Sequence, residues 1–225
     1  AGRASPRLGP GWGPRANAPG QARAAAWGAG CSDGSACSTV DAAGGFTVIG
    51  GLARNYVAAR DPITGEALAS WNANITADPS FSPGVSALLA QGDALYIGGR
   101  FSTVGGQTRT GIAALNSDTG NLRVWAPSAG GIVNTLQISG GSLFVGGKAV
   151  SVGGEARRSL AALDVGTGRL TSWKPNASGI VNALVHSGTN IYIGGFFTNV
   201  GGITRSNLAA VSTNGIVVTG WNPNA

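Results

Sequence analysis

Methionine is absent from the 225 residues, histidine occurs once, cysteine twice, and only 11% of the residues are charged. Each shortage removes a class of protein. Without methionine the chain does not begin at its own initiator codon, so it reads as a processed mature chain or a piece of a longer one, its signal peptide already gone. No apolar run approaches the ~20 residues of a membrane-spanning helix. The only histidine is His186, and the nine acids are scattered, with no pair recurring at a fixed spacing. General acid–base, nucleophilic and metal-assisted chemistry therefore have few parts to work with, and the expectation is no enzyme and no cofactor.

Glycine is abundant instead, at 39 residues, and the hydrophobic fraction is 43%. That pairing suits many short strands joined by tight turns, since glycine takes positive φ without steric cost. It also rules against a disordered chain. The formal charge of +6 comes chiefly from arginine, and Arg3, Arg7, Arg15 and Arg23 lie in an N-terminal stretch free of acids. Such an arm suits contact with an acidic surface, or merely reflects composition. Aromatic residues do not interleave with it as a single-stranded nucleic-acid groove requires, so no nucleic acid is expected. Cys31 and Cys37 flank Ser-Asp-Gly-Ser-Ala. Their spacing suits a disulfide across a hairpin tip, with two free thiols as the other reading. A disulfide implies an oxidising compartment, hence a secreted or cell-surface protein.

The main signal is an internal repeat. Leu95-Tyr-Ile-Gly-Gly99, Leu143-Phe-Val-Gly-Gly147 and Ile191-Tyr-Ile-Gly-Gly195 follow one another at 48-residue steps. So do the Val-Gly-Gly-x-x-Arg segments ending at Arg109, Arg157 and Arg205, and so do Trp125, Trp173 and Trp221. An irregular earlier copy places Phe46 against Phe101, Arg54 against Arg109 and Trp71 against Trp125. It carries an insertion within Asn72–Pro83, expected as a longer surface loop. Earlier still, Gly11-Trp12-Gly-Pro echoes Gly220-Trp221-Asn-Pro.

One period reads as four short strands separated by Gly- and Asn-containing turns, the size of one β-propeller blade. A unit this small cannot bury a core alone and must stack on its neighbours. The recurrent pairs Ala113-Ala114, Ala161-Ala162 and Ala209-Ala210 suit close approach between stacked sheets. The fold expected is all-β: a propeller of about four blades of four antiparallel strands, part of a larger propeller or assembly. Residues 1–20 form the basic arm with the remnant of a preceding blade strand, 21–84 an irregular blade with the disulfide and the insertion, and 85–132, 133–180 and 181–225 three regular blades.

Two resemblances sharpen this. The unit Tyr-Ile-Gly-Gly-x-Phe, Val-Gly-Gly-x-x-Arg, Leu-Ala-Ala-Leu-Asp, Thr-Gly, Trp-x-Pro-Asn resembles the delta-60-type β-propeller repeat of secreted bacterial proteins over residues 46–225. That resemblance implies a propeller and export, but no common activity. More narrowly, Asp61-x-x-Thr64-Gly65 before Trp71 and Asp164-x-x-Thr167-Gly168 before Trp173 are similar to the tryptophan-docking motif of quinoprotein-type propellers. Asn116-x-x-Thr119-Gly120 before Trp125 departs by one residue, and the last copy, with Ser212, departs further. This resemblance implies that Trp71, Trp125, Trp173 and Trp221 wedge between adjacent blades.

The arginines Arg54, Arg109, Arg157 and Arg205 admit two readings. They either form a ring of guanidinium groups for anionic glycans, or bond carbonyls of their own Val-Gly-Gly turns as structural residues. The functional expectation is a structural or protein-interaction module, with self-association through blade end faces. A glycan-binding lectin is the alternative, and a quinoprotein-like oxidoreductase a remoter one, since Cys31 and Cys37 are not adjacent as that family's cofactor-flanking disulfide requires.

Overall fold

The computed structural model describes residues 22–27 and 39–223. Cys31, Cys37, Trp12, Arg3, Arg7, Arg15 and the side chain of Arg23 lie outside the described residues, and with them the expected disulfide and basic arm. What is described is all-β. Strands dominate, and the helical structure is a single 3-10 turn, Pro79–Phe81, within the insertion after Trp71.

Four antiparallel meanders follow one another along the chain. The first comprises Ala22–Trp27, Val40–Gly44 and Val57–Arg60, the second Gly84–Gln91, Ala94–Arg100 and Ile112–Asn116. The third comprises Ala129–Ser139, Ser142–Val152 and Leu160–Asp164, the fourth Ile180–Ser187, Asn190–Phe196 and Leu208–Ser212. In each, the middle strand pairs on both sides. The registers repeat at the 48-residue step: Tyr96 faces Ala114, Phe144 faces Ala162 and Tyr192 faces Ala210. A short ribbon around each Val-Gly-Gly turn, Ile49-Gly50-Gly51 in the first copy, follows the end of the middle strand. Gly105 and Gly106 show why two glycines stand there, since φ of 57° and 74° is a left-handed turn closed to most side chains.

The expected fourth strand of each unit shrinks to a single bridge. Arg60 bridges Ala67, Leu115 bridges Leu122, Leu163 bridges Leu170 and Val211 bridges Val217. Beyond each bridge the chain makes one more backbone bond, such as Thr171 N–H to Ala162 carbonyl at 2.9 Å, and then leaves the sheet edge. It leaves because the tryptophan that follows belongs in the seam with the next sheet, where a straight fourth strand would not deliver it.

The sheets pack face to face in chain order, first on second, second on third, third on fourth, in a curled, half-barrel-like array. Three buried clusters fill the seams. Ala43, Val57 and Ala59 meet Val85, Leu95 and Ile97 in the first. Tyr96, Ile112 and Ala114 meet Val133, Leu143 and Val145 in the second. Phe144, Leu160 and Ala162 meet Val181, Ile191 and Ile193 in the third.

The two glycines of the Tyr-Ile-Gly-Gly motif have separate tasks. The first faces the neighbouring sheet: a Cβ on Gly98 would lie 2.5 Å from Val133 Cγ1, and one on Gly146 would lie 2.7 Å from Val181 Cγ1. The second faces its own sheet, opposite a β-bulge. A Cβ on Gly99, Gly147 or Gly195 would run into the carbonyl oxygen of Gly84, Ile132 or Ile180. Because that obstacle is backbone, relief requires opening the bulge. Gly147→Ala is therefore expected to destabilise the fold by about 1–3 kcal/mol or more, the cost of an added methyl in a packed site. Urea titration measures it, and a loss below about 0.5 kcal/mol, the range of neutral surface changes, would contradict the assignment.

Candidate functional site

The side chains singled out by the repeat converge on the seams between sheets. Trp71, Trp125 and Trp173 each leave their own unit and lie on the turn of the next. The Trp71 indole Nε1 donates to Ser117 carbonyl at 2.9 Å, Trp125 to Asp164 carbonyl at 3.3 Å, and Trp173 to Ser212 carbonyl at 2.9 Å. The Thr-Gly glycine of the next unit makes room for the ring. A Cβ on Gly120 would stand 2.8 Å from Trp71 Cδ2, and one on Gly168 would stand 3.1 Å from Trp125 Nε1. The other edge of the ring meets an aromatic of its own sheet. Tyr96–Trp125, Phe144–Trp173 and Tyr192–Trp221 are T-shaped pairs with centroids 5.2, 5.0 and 5.1 Å apart. Trp71, Trp125 and Trp173 are buried, while Trp221 is half-exposed.

The turn that receives each indole is held by its acidic or amide residue. Asp61 Oδ1 accepts from Ile63 and Thr64 N–H at 2.8 and 2.7 Å. Asn116 Oδ1 does the same for Asp118 and Thr119, and Asp164 Oδ1 for Thr167 N–H and Oγ1, both at 2.7 Å. These bonds hold the Asp61 and Asp164 carboxyls below the ordinary range.

Arg54, Arg157 and Arg205 are turned inward, and Arg109 is half-exposed. Arg54 donates from Nε to Trp71 carbonyl at 2.7 Å and from its terminal nitrogens to Ala53, Leu68 and Ala69 carbonyls. Arg205 reaches Thr204 and Thr219 carbonyls at 2.8 and 3.0 Å. Arg157 bonds Ala156 carbonyl and pairs with Glu155 at 3.0 Å, and Arg109 bonds Thr108 carbonyl at 2.8 Å. Arg54, Arg157 and Arg205 are buried. In Arg54 and Arg205 the guanidinium ties the Val-Gly-Gly turn to the segment carrying the tryptophan, which leaves little charge to present to an anion.

Asp41 breaks the pattern. It faces Ala59 in the first sheet, the register place held by Tyr96, Phe144 and Tyr192 in the others. The seam thus has a carboxyl where its fellows have an aromatic ring. Asp41 is fully buried, and neither carboxyl oxygen has a hydrogen-bond partner among the described residues. Burial, with a smaller push from the nearby Asp118 carboxylate, raises it to about 7. Thr39 Oγ1 and Ser117 Oγ are likewise buried without partners. Sequence reasoning missed this residue, although setting Phe46 on Phe101 places Asp41 on Tyr96.

His186 Nε2 and Ser139 Oγ lie 2.9 Å apart, linking the third and fourth sheets. No carboxylate bonds the imidazole among the described contacts, and neither residue lines a described groove. Beside it, Asn134 Nδ2 donates to Val181 carbonyl at 3.1 Å and to Asn182 Oδ1 at 3.0 Å, so the pair belongs to a polar stitch along the seam. A groove of about 590 Å³ opens between the second and third sheets, lined by Gln91, Asp93, Tyr96, Arg123, Trp125 and Val165. Asp93 and Arg123 pair across it at 2.9 Å. Their repeat equivalents are Gly141 and Thr171, then Thr189 and Thr219, so the groove is not repeated along the chain. Among the described residues no group of three His, Cys, Asp or Glu side chains is placed to hold a metal ion, and no helix is long and apolar enough to cross a membrane.

No family model and no curated protein matches the chain. Among solved structures it is similar to two computationally designed proteins. Ika8, crystallised in packing No. 1 in P63, is 14% identical, with 88% of this chain and 48% of that one covered and a TM-score of 0.49. Ika4 is 15% identical, with 79% and 86% covered and a TM-score of 0.49. The chain spans about half the length of Ika8.

Two expectations follow from the seams. Trp173→Ala removes a buried ring, an edge contact and an indole hydrogen bond together, and is expected to cost about 3–5 kcal/mol in denaturant titration. A loss under about 1 kcal/mol would make the ring a surface group. The second concerns Asp41. Unfolded, it ionises near 3.8; folded, near 7. The protonated form is the one the fold accommodates, so its stability is full below about pH 4, declines as pH rises, and reaches its floor above about pH 7. The exposed carboxylates with depressed values act in the opposite direction only near and below their own range, so pH 5 against pH 8 isolates Asp41. The melting temperature should fall by several degrees, roughly 2–4 °C per kcal/mol for a chain this size, between pH 5 and pH 8. In Asp41→Asn the fall should vanish; an unchanged slope would show that another group carries it.

Proposed function

We propose that the chain is an exported structural or protein-interaction module without catalytic activity, its four sheets serving as blades of a β-propeller. One observation carries this reading. The polar and aromatic side chains of the repeat are committed to holding sheet on sheet, whereas the fourth sheet leaves Phe196 72% and Val185 58% exposed. An exposed patch of large apolar side chains on a folded chain marks a contact surface. The resemblance to the delta-60-type repeat of secreted bacterial proteins supports export, and the repeated meander with its stacked seams supports blades. A glycan-binding role draws on the groove at Asp93 and Arg123, where a charged pair sits beside the edges of Tyr96 and Trp125.

Photo-crosslinking separates the two. A crosslinking amino acid at position 196, in the chain produced by its own cells, is expected to capture a discrete protein, while one at Asn121, exposed elsewhere on the surface, captures none. A glycan array probed with the same chain is expected to be blank. Glycan binding abolished by Arg123→Ala, with no crosslink at position 196, would replace the interaction module with a lectin.

A further inference from the structure

We infer that the outer face of the fourth sheet is a docking site for a further sheet of this same 48-residue repeat. The inference rests on the interaction-module reading and names what its open face takes. Three internal seams show what that face is cut to receive, and three separate features of it are left without a counterpart.

The first is steric. In the second and third sheets the first glycine of the motif forms a slot filled by the next sheet: Val133 Cγ1 and Leu136 Cδ1 enter at Gly98, Val181 Cγ1 and Leu184 Cγ at Gly146. At Gly194 the nearest atoms to a Cβ would be Leu208 at 3.4 Å, Ala183 at 3.8 Å and Asn207 carbonyl at 3.9 Å, all from its own unit. The slot is formed and empty. Its shape calls for a β-branched side chain and, three positions on, a leucine.

The second is apolar burial. Ile112 and Leu160 are 0% and 1% exposed, sealed by the sheets that follow them, whereas Leu208 in the same register place is 38% exposed. Tyr96 and Phe144 are likewise buried, and Tyr192 is half-exposed. The third is polar. Trp71, Trp125 and Trp173 each donate their indole N–H to a turn carbonyl of the next sheet. Trp221 keeps its aromatic partner, Tyr192, but its indole N–H has no acceptor among the described residues. A generic apolar partner would cover Leu208 and Phe196. Only a sheet with the repeat's own turn also supplies a carbonyl at the indole, a glycine under the ring and a β-branched side chain for the Gly194 slot. The face continues an interface already formed three times, and its occupant is a fourth instance of the same surface.

The test supplies that sheet in register. A copy of residues 178–225 is appended after Ala225, and the exchange of the Trp221 indole N–H is followed by NMR, its signal identified by Trp221→Phe. In the 225-residue chain this proton should exchange much faster than those of Trp125 and Trp173. In the extended chain it should slow by at least about tenfold, as a proton within a stable unit does. Gly194→Val should abolish the slowing while leaving the melting temperature of the 225-residue chain unchanged. Gly146→Val, in the occupied slot, should lower it.

Three outcomes would overturn the inference: no slowing on extension, slowing that survives Gly194→Val, or a loss of stability from Gly194→Val in the 225-residue chain as large as that from Gly146→Val. Protection of Trp221 that grows with concentration of the unextended chain and survives Gly194→Val would also overturn it, since the occupant would then be a second copy seated without the slot. Because the sheet is supplied in the same polypeptide, the result does not depend on the crosslinking at position 196. A chain that captures no partner in its cells can still accept the appended sheet, and the two readings fail separately.

Discussion

Everything in this structure depends on a tryptophan leaving the sheet that precedes it in sequence and lying on the turn of the sheet that follows. A three-stranded meander has two apolar faces and no core of its own. It becomes stable when both faces are covered, and the indole is what fixes the spacing and rotation at which the covering happens. The ring contributes area, the Nε1–H bond contributes direction, and the T-shaped contact with Tyr96 or Phe144 contributes a second edge. Each remaining feature of the repeat serves that placement. The Asp-x-x-Thr-Gly turn is rigid so that its carbonyl stands where the indole arrives. The glycine in it is bare so that the ring can lie flat. The buried arginine draws in the carbonyls of the segment that carries the tryptophan, as Arg54 does with Leu68, Ala69 and Trp71.

This use of polar groups explains why so few charges appear and why those present show so little chemistry. A guanidinium bonded to two or more main-chain carbonyls, as in Arg54 and Arg205, remains charged, but those donors serve the turn it holds. The same holds for Asp61 and Asp164, whose carboxylates satisfy the amides of their own turns. Among the described residues, then, the polar side chains of the repeat serve turns and seams, and the outer face of the fourth sheet is left with exposed apolar side chains.

Most of the architecture was legible because the repeat states each feature several times. The 48-residue step located the middle strands, the Gly-Gly turns, the arginines and the tryptophans in the places the structure gives them. What escaped has physical reasons. The fourth strand of each unit has the composition of a strand, but strand propensity says nothing about where the following tryptophan must go, and that requirement reduces it to one bridge. The residue before each third strand is Tyr56, Gly111, Ser159 or Asn207, with φ of 69°, 69°, 63° and 64°. Four different residues share one left-handed backbone at a tight three-residue turn, closed by Val57 N–H on Asn55 carbonyl, Ile112 on Thr110 and Leu208 on Ser206 at 2.8, 2.9 and 2.7 Å, and no residue pattern marks it. The two tasks of the Gly-Gly pair were also hidden, since one glycine answers to the neighbouring sheet and the other to a bulge in its own. The disulfide and the basic arm belong to residues outside those described.

The first sheet shows what happens when the repeat is relaxed. Its spacing to the next copy is 55 residues where the others keep 48, its following loop carries the insertion, and its aromatic is replaced by Asp41. A ring at that place would gain from the edge of Trp71; a carboxyl in the same enclosed seam loses its hydration and finds no donor. The cost is smallest when the group is neutral, so the seam selects the protonated acid, and the penalty builds between about pH 4 and pH 7. Trp71 is nonetheless buried and bonded to Ser117 as its fellows are bonded to their own turns. The indole and the turn that receives it therefore suffice to set one sheet on the next, and the aromatic pair adds to a geometry they already determine. The repeat tolerates a buried acid in the pair, provided the tryptophan and its carbonyl are kept.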